Sequence, residues 1–164
     1  MGADEDVVLT AVVGALGLGD AQPAGEGPRR RLHVVLGVIA DAEHEESAPG
    51  APTLLINRLS CSLVGTEQTI TLVPGTLAQR IYGQSSVTEV FACNFGLNPA
   101  YRARIDDGEL AIAGIDADGD VRLVELPSHP FFVATLYLPQ VRSSAARPHP
   151  LIAAFLRAAL DGKL

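Results

Sequence analysis

The sequence predicts a mixed α/β domain, and three observations support this fold class. The chain has 164 residues, of which 48% are hydrophobic and 19% charged, so one buried core can form. Short β-branched runs alternate along the chain with capped helical stretches. An Asp-Gly turn at residues 116–120 lies between two apolar runs, which is typical of a β-hairpin.

The strands are predicted from short runs rich in β-branched and aromatic residues, bounded by turn-forming residues. The predicted strands are residues 7–13, 53–57, 68–73, 87–93, 109–115, 121–126 and 131–138. The last of these runs lies between two prolines and is almost continuously apolar, as expected for a strand buried on both faces.

The helices are predicted from capping residues and from helical spacing. Thr76 follows Pro-Gly and is expected to cap a short helix that extends to Gly83. Asn98, which precedes a proline, predicts another short helix over residues 100–105. A proline also opens residues 151–160, where apolar residues recur on one side, so this segment is expected to be an amphipathic closing helix.

Composition and charge restrict the partners. The formal net charge of -7 and the absence of Trp predict that the chain does not bind nucleic acid. The apolar stretch at residues 7–19 follows acidic residues and is too short to span a bilayer, so no membrane association is expected. Two cysteines, Cys61 and Cys93, do not make a disulfide framework, which predicts a cytoplasmic location.

The Pro/Gly-rich and arginine-rich stretch at residues 22–31 predicts a linker. We therefore expect an N-terminal segment with this linker over residues 1–31, followed by a domain over residues 32–164.

No local motif predicts a reaction, a metal site or a cofactor. The glycines at residues 14–19 occur in the reverse order of a dinucleotide-binding loop, and the acidic turn at 116–120 lacks the spacing of a calcium loop, which favours a solvated hairpin. An acidic run at residues 43–46 predicts a solvated loop. None of the histidines has chelating spacing, and those before a proline are explained by tight turns; the four are His33, His44, His129 and His149.

From residue 61 onward, the order of segments resembles the C-terminal glutamine amidotransferase half of CTP synthase. The segments that carry the resemblance are TITLVPGTLAQRIYG (69–83), FACNFGLN (91–98), GELAIAGIDADGDVR (108–122), VELPSHPFFVATLYLP (124–139) and RPHPLIAAFLRA (147–158). LGVIADAEHEE (36–46) resembles the segment after that family's nucleophile helix. The resemblance implies a three-layer α/β/α sandwich of the class I glutamine amidotransferase type, incomplete at its N-terminal edge. It also implies a glutamine-like small molecule as ligand and a link to pyrimidine biosynthesis.

The departures from the family pattern affect its Cys-His-Glu triad. Leu138 and Gln140 occupy the positions of the family's His and Glu, and no cysteine precedes residue 36. A leucine cannot accept a thiol proton, and a neutral glutamine cannot stabilise an imidazolium. Asn94 occupies the position of an arginine on a strand that helps to hold glutamine in the family.

Three hypotheses follow from this comparison. The leading one is a relative of the CTP synthase glutaminase domain that has lost glutaminase activity and acts by binding or association. In the second, the chain is an enzyme whose chemistry has moved to Cys93, near Asn94 and His129. In the third, it is the partial product of a longer gene, and its uncovered sheet edge is expected to form a homodimer or to aggregate.

Overall fold

Two β-sheets form the framework of the computed structural model, which describes residues 10–13, 43–45, 49–92 and 94–161. The strands are β1 Thr10–Val13, β2 Glu43–His44, β3 Leu54–Arg58, β4 Thr66–Leu72, β5 Ser86–Phe91, β6 Phe95–Leu97, β7 Ala111–Ile115, β8 Val121–Glu125 and β9 Phe132–Thr135. The order in the larger sheet is β1-β9-β8-β7-β4-β5, with antiparallel pairing throughout. The smaller sheet has the order β2-β3-β6.

The two faces of the large sheet are covered by different layers. Alternate residues of its central strands, such as Ile112 and Phe132, pack with the small sheet and with Ile105. The residues between them, such as Ala113 and Val133, pack against the helices on the other face. Every residue of β8 and β9 is buried. This three-layer arrangement confirms the predicted α/β fold and the strand buried on both faces.

The helices begin at the capping residues that the sequence indicates. Helix α1 spans Leu77–Tyr82, where the Thr76 hydroxyl accepts from the Gln79 amide and Gly83 ends the helix at a φ of 66°. Asn98 caps a 3-10 turn that continues as α2, Arg102–Asp106. Helix α3 spans Pro150–Leu160. None of the helices within the described ranges is long and apolar enough to cross a membrane.

Three local predictions need correction. Residues 43–44 of the acidic run pair with β3 as a short strand instead of forming a solvated loop. Asp116 is 6% exposed, because its carboxylate accepts from two amides of the hairpin turn and pairs with Arg122. His149, where the following proline predicts a tight turn, is instead the buried N-cap of helix α3.

Strand β1 comes from the part of the chain that was assigned to the N-terminal segment, and it pairs with β9 at the edge of the large sheet. The expected linker at residues 22–31 lies outside the described residues, and so do the glycines at 14–19. The division of the chain at residues 31 and 32 therefore stays a prediction.

Candidate functional site

The segment after β9 lies at the end of the large sheet that carries the turn at residues 116–120. We call this end of the sheet the hairpin end. Beyond Thr135 the chain stays attached to its neighbours: the Leu136 amide donates to the Arg122 carbonyl at 3.0 Å and the Leu138 amide to the Val90 carbonyl at 3.4 Å. The Thr135 hydroxyl donates to the Tyr137 carbonyl at 2.8 Å. These bonds hold the half-buried Leu138 in a defined place at the end of β9.

Gln140 lies two residues further on, in a 3-10 turn that spans Pro139–Arg142. Its side chain is exposed. The turn is attached to the sheet by an ion pair between Arg142 and Glu67 of β4. The structure therefore brings Leu138 and Gln140 to the same end of the sheet, on one short segment.

Asn94 is at the hairpin end as well, in the link between β5 and β6. It is half-buried, and its carbonyl accepts from the Leu59 amide at 2.8 Å. The space above the next glycine is occupied, because a Cβ built at Gly96 would lie 2.6 Å from Leu59 Cδ2 and 3.4 Å from Arg122 NH1. The side chains of Leu59 and Arg122 thus pack closely against β6, which follows Asn94.

Arg122 is the buried cation of the hairpin end. Its Nε and NH2 donate to Asp116 Oδ2 at 2.8 and 2.7 Å, and NH2 also contacts Asp120 Oδ2 at 3.1 Å. Its guanidinium carbon lies 5.9 Å from the centre of the Phe91 ring. Because this charge is already balanced by Asp116, its main effect is to fix the hairpin against β5.

His129 lies at the opposite end of the sheet. Its Nδ1 accepts from the Phe131 amide at 3.1 Å, and the ring borders a cleft of about 690 Å³ that Gly75, Arg80 and Glu125 also line. The five residues of β8, each rising about 3.3 Å, separate this cleft from the hairpin end. The structure thus does not bring His129 and Asn94 together, and Cys93 lies outside the described residues.

A group of polar side chains that the sequence did not reveal lies between the large sheet, α1 and α3. We call it the interior polar cluster, and its members are Gln68, Tyr82, Glu89, Tyr137 and His149. Tyr82 Oη donates to Glu89 Oε1 at 2.8 Å and lies 2.9 Å from Tyr137 Oη. Burial raises the pKa of both phenols above the ordinary tyrosine value, and the negative charge of Glu89 acts in the same direction.

His149 joins this cluster to helix α3. Its Nδ1 accepts from the Leu151 amide at 3.3 Å, and its Nε2 lies 2.9 Å from Glu89 Oε1. The sequence predicts a tight turn here because a proline follows. The partner Glu89 is 60 residues away in sequence, so no local signal could have indicated the contact.

In the part of the chain that the structure describes, no group of His, Cys, Asp and Glu residues is arranged to hold a metal ion.

Comparison with known proteins finds CTP synthases among the relatives of this chain. No family model matches the chain. CTP synthase from Rhodococcus jostii is 35% identical over 164 residues, which cover 96% of this chain and 26% of the relative. CTP synthase from Synechococcus sp. is 34% identical over 132 residues, 80% of this chain and 22% of the relative. The match to CTP synthase from Saccharopolyspora erythraea is 43% over 93 residues, 55% of this chain and 16% of the relative.

The chain thus spans about a quarter or less of the length of these curated relatives. Among solved structures, the glutaminase domain of Trypanosoma brucei CTPS with bound acivicin aligns with a TM-score of 0.70 and 22% identity. The alignment covers 79% of this chain and 54% of that one. The chain is therefore related in sequence to CTP synthase and has the fold of its class I amidotransferase (glutaminase) domain.

Proposed function

We propose that this chain is a glutaminase-like domain that binds a glutamine-like molecule at the hairpin end and does not hydrolyse it. The observation that carries the proposal is the position of Leu138. Its amide is attached to β5, so the side chain lies in a defined place at the end of β9. An apolar side chain there has no atom that can take a proton from a nucleophile.

Gln140 supports the same proposal. The glutamate that the family pattern places there would keep an imidazole oriented and stabilise its charged form. A neutral, exposed amide does neither. A cytoplasmic location, a role in pyrimidine biosynthesis and a homodimer remain predictions from the sequence and the resemblance.

Binding and hydrolysis are tested separately. Isothermal titration with glutamine is expected to give a saturable signal that Asn94→Ala weakens about tenfold, the size of one lost hydrogen bond in a binding site. Gln84→Ala is the matched control, because Gln84 is exposed at the other end of β5 and its substitution should leave binding unchanged. Equal affinities for both variants and the wild type would contradict the proposed location.

The second assay follows ammonia release from glutamine by the purified chain. The expected rate equals that of a heat-inactivated sample. Turnover above that background would overturn the proposed loss of activity, whatever the binding result. Acivicin, the compound bound in the Trypanosoma brucei domain, serves as a second binding probe.

A further inference from the structure

Two buried acceptor oxygens in the interior polar cluster have no hydrogen-bond donor among the residues that the structure describes. They are Gln68 Oε1 and Glu89 Oε2, and neither has a partner among the described residues. The two residues are directly opposite each other on β4 and β5, so their side chains leave the same face of the sheet. Glu89 is only 3% exposed. Buried acceptors without a donor are costly, so two such acceptors on directly opposite residues favour a shared donor.

The described donors of the cluster other than the Gln68 amide are directed at atoms other than Glu89 Oε2. Since Nδ1 of His149 accepts from the Leu151 amide, the ring proton is on Nε2, which donates to Glu89 Oε1. Tyr82 donates to the same oxygen, and Tyr137 donates to Tyr82 Oη. Glu89 Oε1 therefore accepts two hydrogen bonds, and among the described residues the Gln68 amide is the one donor that could turn toward Oε2.

The charge of the cluster is compatible with a cationic donor. The groups that contact the Glu89 carboxylate are the Tyr82 phenol and the His149 imidazole, which forms an ion pair with it when protonated. No arginine within the described ranges forms an ion pair with this carboxylate. A donor that also carries a positive charge would stabilise the ionised carboxylate further.

We propose that Gln68 Oε1 and Glu89 Oε2 bind one small hydrogen-bond donor, either ammonium or water. Both ligands would donate one hydrogen to each oxygen. Ammonium would in addition balance the charge of Glu89, which water would not. The proposal does not depend on glutamine binding or hydrolysis, because it rests only on the donors and acceptors of this cluster.

The competing explanation lies within the chain. If the amide of Gln68 turned over, its Nε2 would point inward and could donate to Glu89 Oε2 without any ligand. The two explanations differ in electron density and in the response to ammonium, so they can be separated.

The first test is a crystal structure at about 1.2 Å resolution, determined both without ammonium and with ammonium chloride. The expected result is one density peak at about 2.7–3.2 Å from both oxygens. In Glu89→Gln, the new amide can itself donate to Gln68 Oε1, so the peak should disappear while the bonds from Tyr82 and His149 remain. The absence of a peak in both wild-type crystals would overturn the proposal.

Whether the bound donor is ammonium or water is determined by measuring the unfolding equilibrium in different salts. If ammonium binds, ammonium chloride at tenfold its Kd should lower the unfolding equilibrium constant about elevenfold relative to sodium chloride, and Glu89→Gln should abolish the difference. A density peak in both crystals without this salt-specific effect identifies water. Either result supports the site and names its occupant.

Gln68→Met gives a readout that needs no crystal. If a donor bridges the two oxygens, removing one acceptor should raise the unfolding equilibrium constant about tenfold. If the Gln68 oxygen is truly unpaired, the substitution should leave this constant unchanged or lower it, and the proposal fails. Thr71→Val, at an exposed position of the same strand, is the matched control.

Discussion

The carboxylate of Glu125 attaches the first turn of α1 to the large sheet, and we expect Glu125→Ala to destabilise the fold by about 3–5 kcal/mol. Its Oε1 accepts from the Leu77 amide at 2.9 Å and its Oε2 from the Ala78 amide at 3.1 Å. The residue is 6% exposed. Each hydrogen bond to a charged group contributes about 1.5–3 kcal/mol, and the neighbouring cleft lets water replace part of this loss.

The assay is urea unfolding followed by far-ultraviolet circular dichroism, with the denaturant slope required to stay constant. Glu125→Gln should cost about half as much stability as Glu125→Ala. The carbonyl oxygen of the new glutamine can still accept from one backbone amide, while its NH2 group faces the other backbone N–H, which is also a donor. Glu109→Ala is the control, since Glu109 is exposed and its loss should stay within about 0.5 kcal/mol. A loss below about 1 kcal/mol for Glu125→Ala would refute the reasoning.

Three further predictions concern charged and titratable groups. Arg122→Met should cost about 3–5 kcal/mol in urea unfolding, because it leaves the buried Asp116 carboxylate unpaired; a cost under about 1 kcal/mol would contradict this. Arg142→Ala should cost less than about 1 kcal/mol, since the side chains of Arg142 and Glu67 are 36% and 60% exposed; a larger loss would show that the turn depends on this pair. The pKa of Tyr82 is raised in the folded state, so its contribution to stability is complete below the unfolded-state tyrosine pKa of about 10 and is lost as the pH rises above that value. Tyr82→Phe should therefore flatten the decline of the thermal unfolding temperature at alkaline pH. If the wild type and the variant decline in parallel, Tyr82 is not the group responsible.

The elements were predictable wherever their signals are local. Thr76 and Asn98 each precede a helical start, and both are found as side-chain caps. The hairpin around Gly119 follows from an Asp-Gly turn, and this glycine has a φ of 85°. The segment after β9 was placed by the resemblance to a known family, which carries information that periodicity does not contain.

The interior polar cluster was not predictable, because its contacts are long-range. Tyr82 contacts Tyr137 across 55 residues, and Glu89 contacts His149 across 60. The buried position of Asp116 was missed for a related reason: an acidic turn normally predicts solvent, and only the fold shows that Arg122 balances this carboxylate. The strand at residues 43–44 is defined by its pairing with residues 54 and 56 of β3, which an acidic run does not indicate locally.

We propose that this chain, which has the glutaminase fold, binds a glutamine-like ligand without hydrolysing it. The most direct test is a nuclear magnetic resonance time course with glutamine labelled with ¹⁵N at its side-chain amide. We expect the amide signal to broaden on addition of the protein and to keep its full integrated area over time, with no ¹⁵N-ammonium beyond the heat-inactivated control. Growth of the ¹⁵N-ammonium signal above that control would show that the chain hydrolyses glutamine.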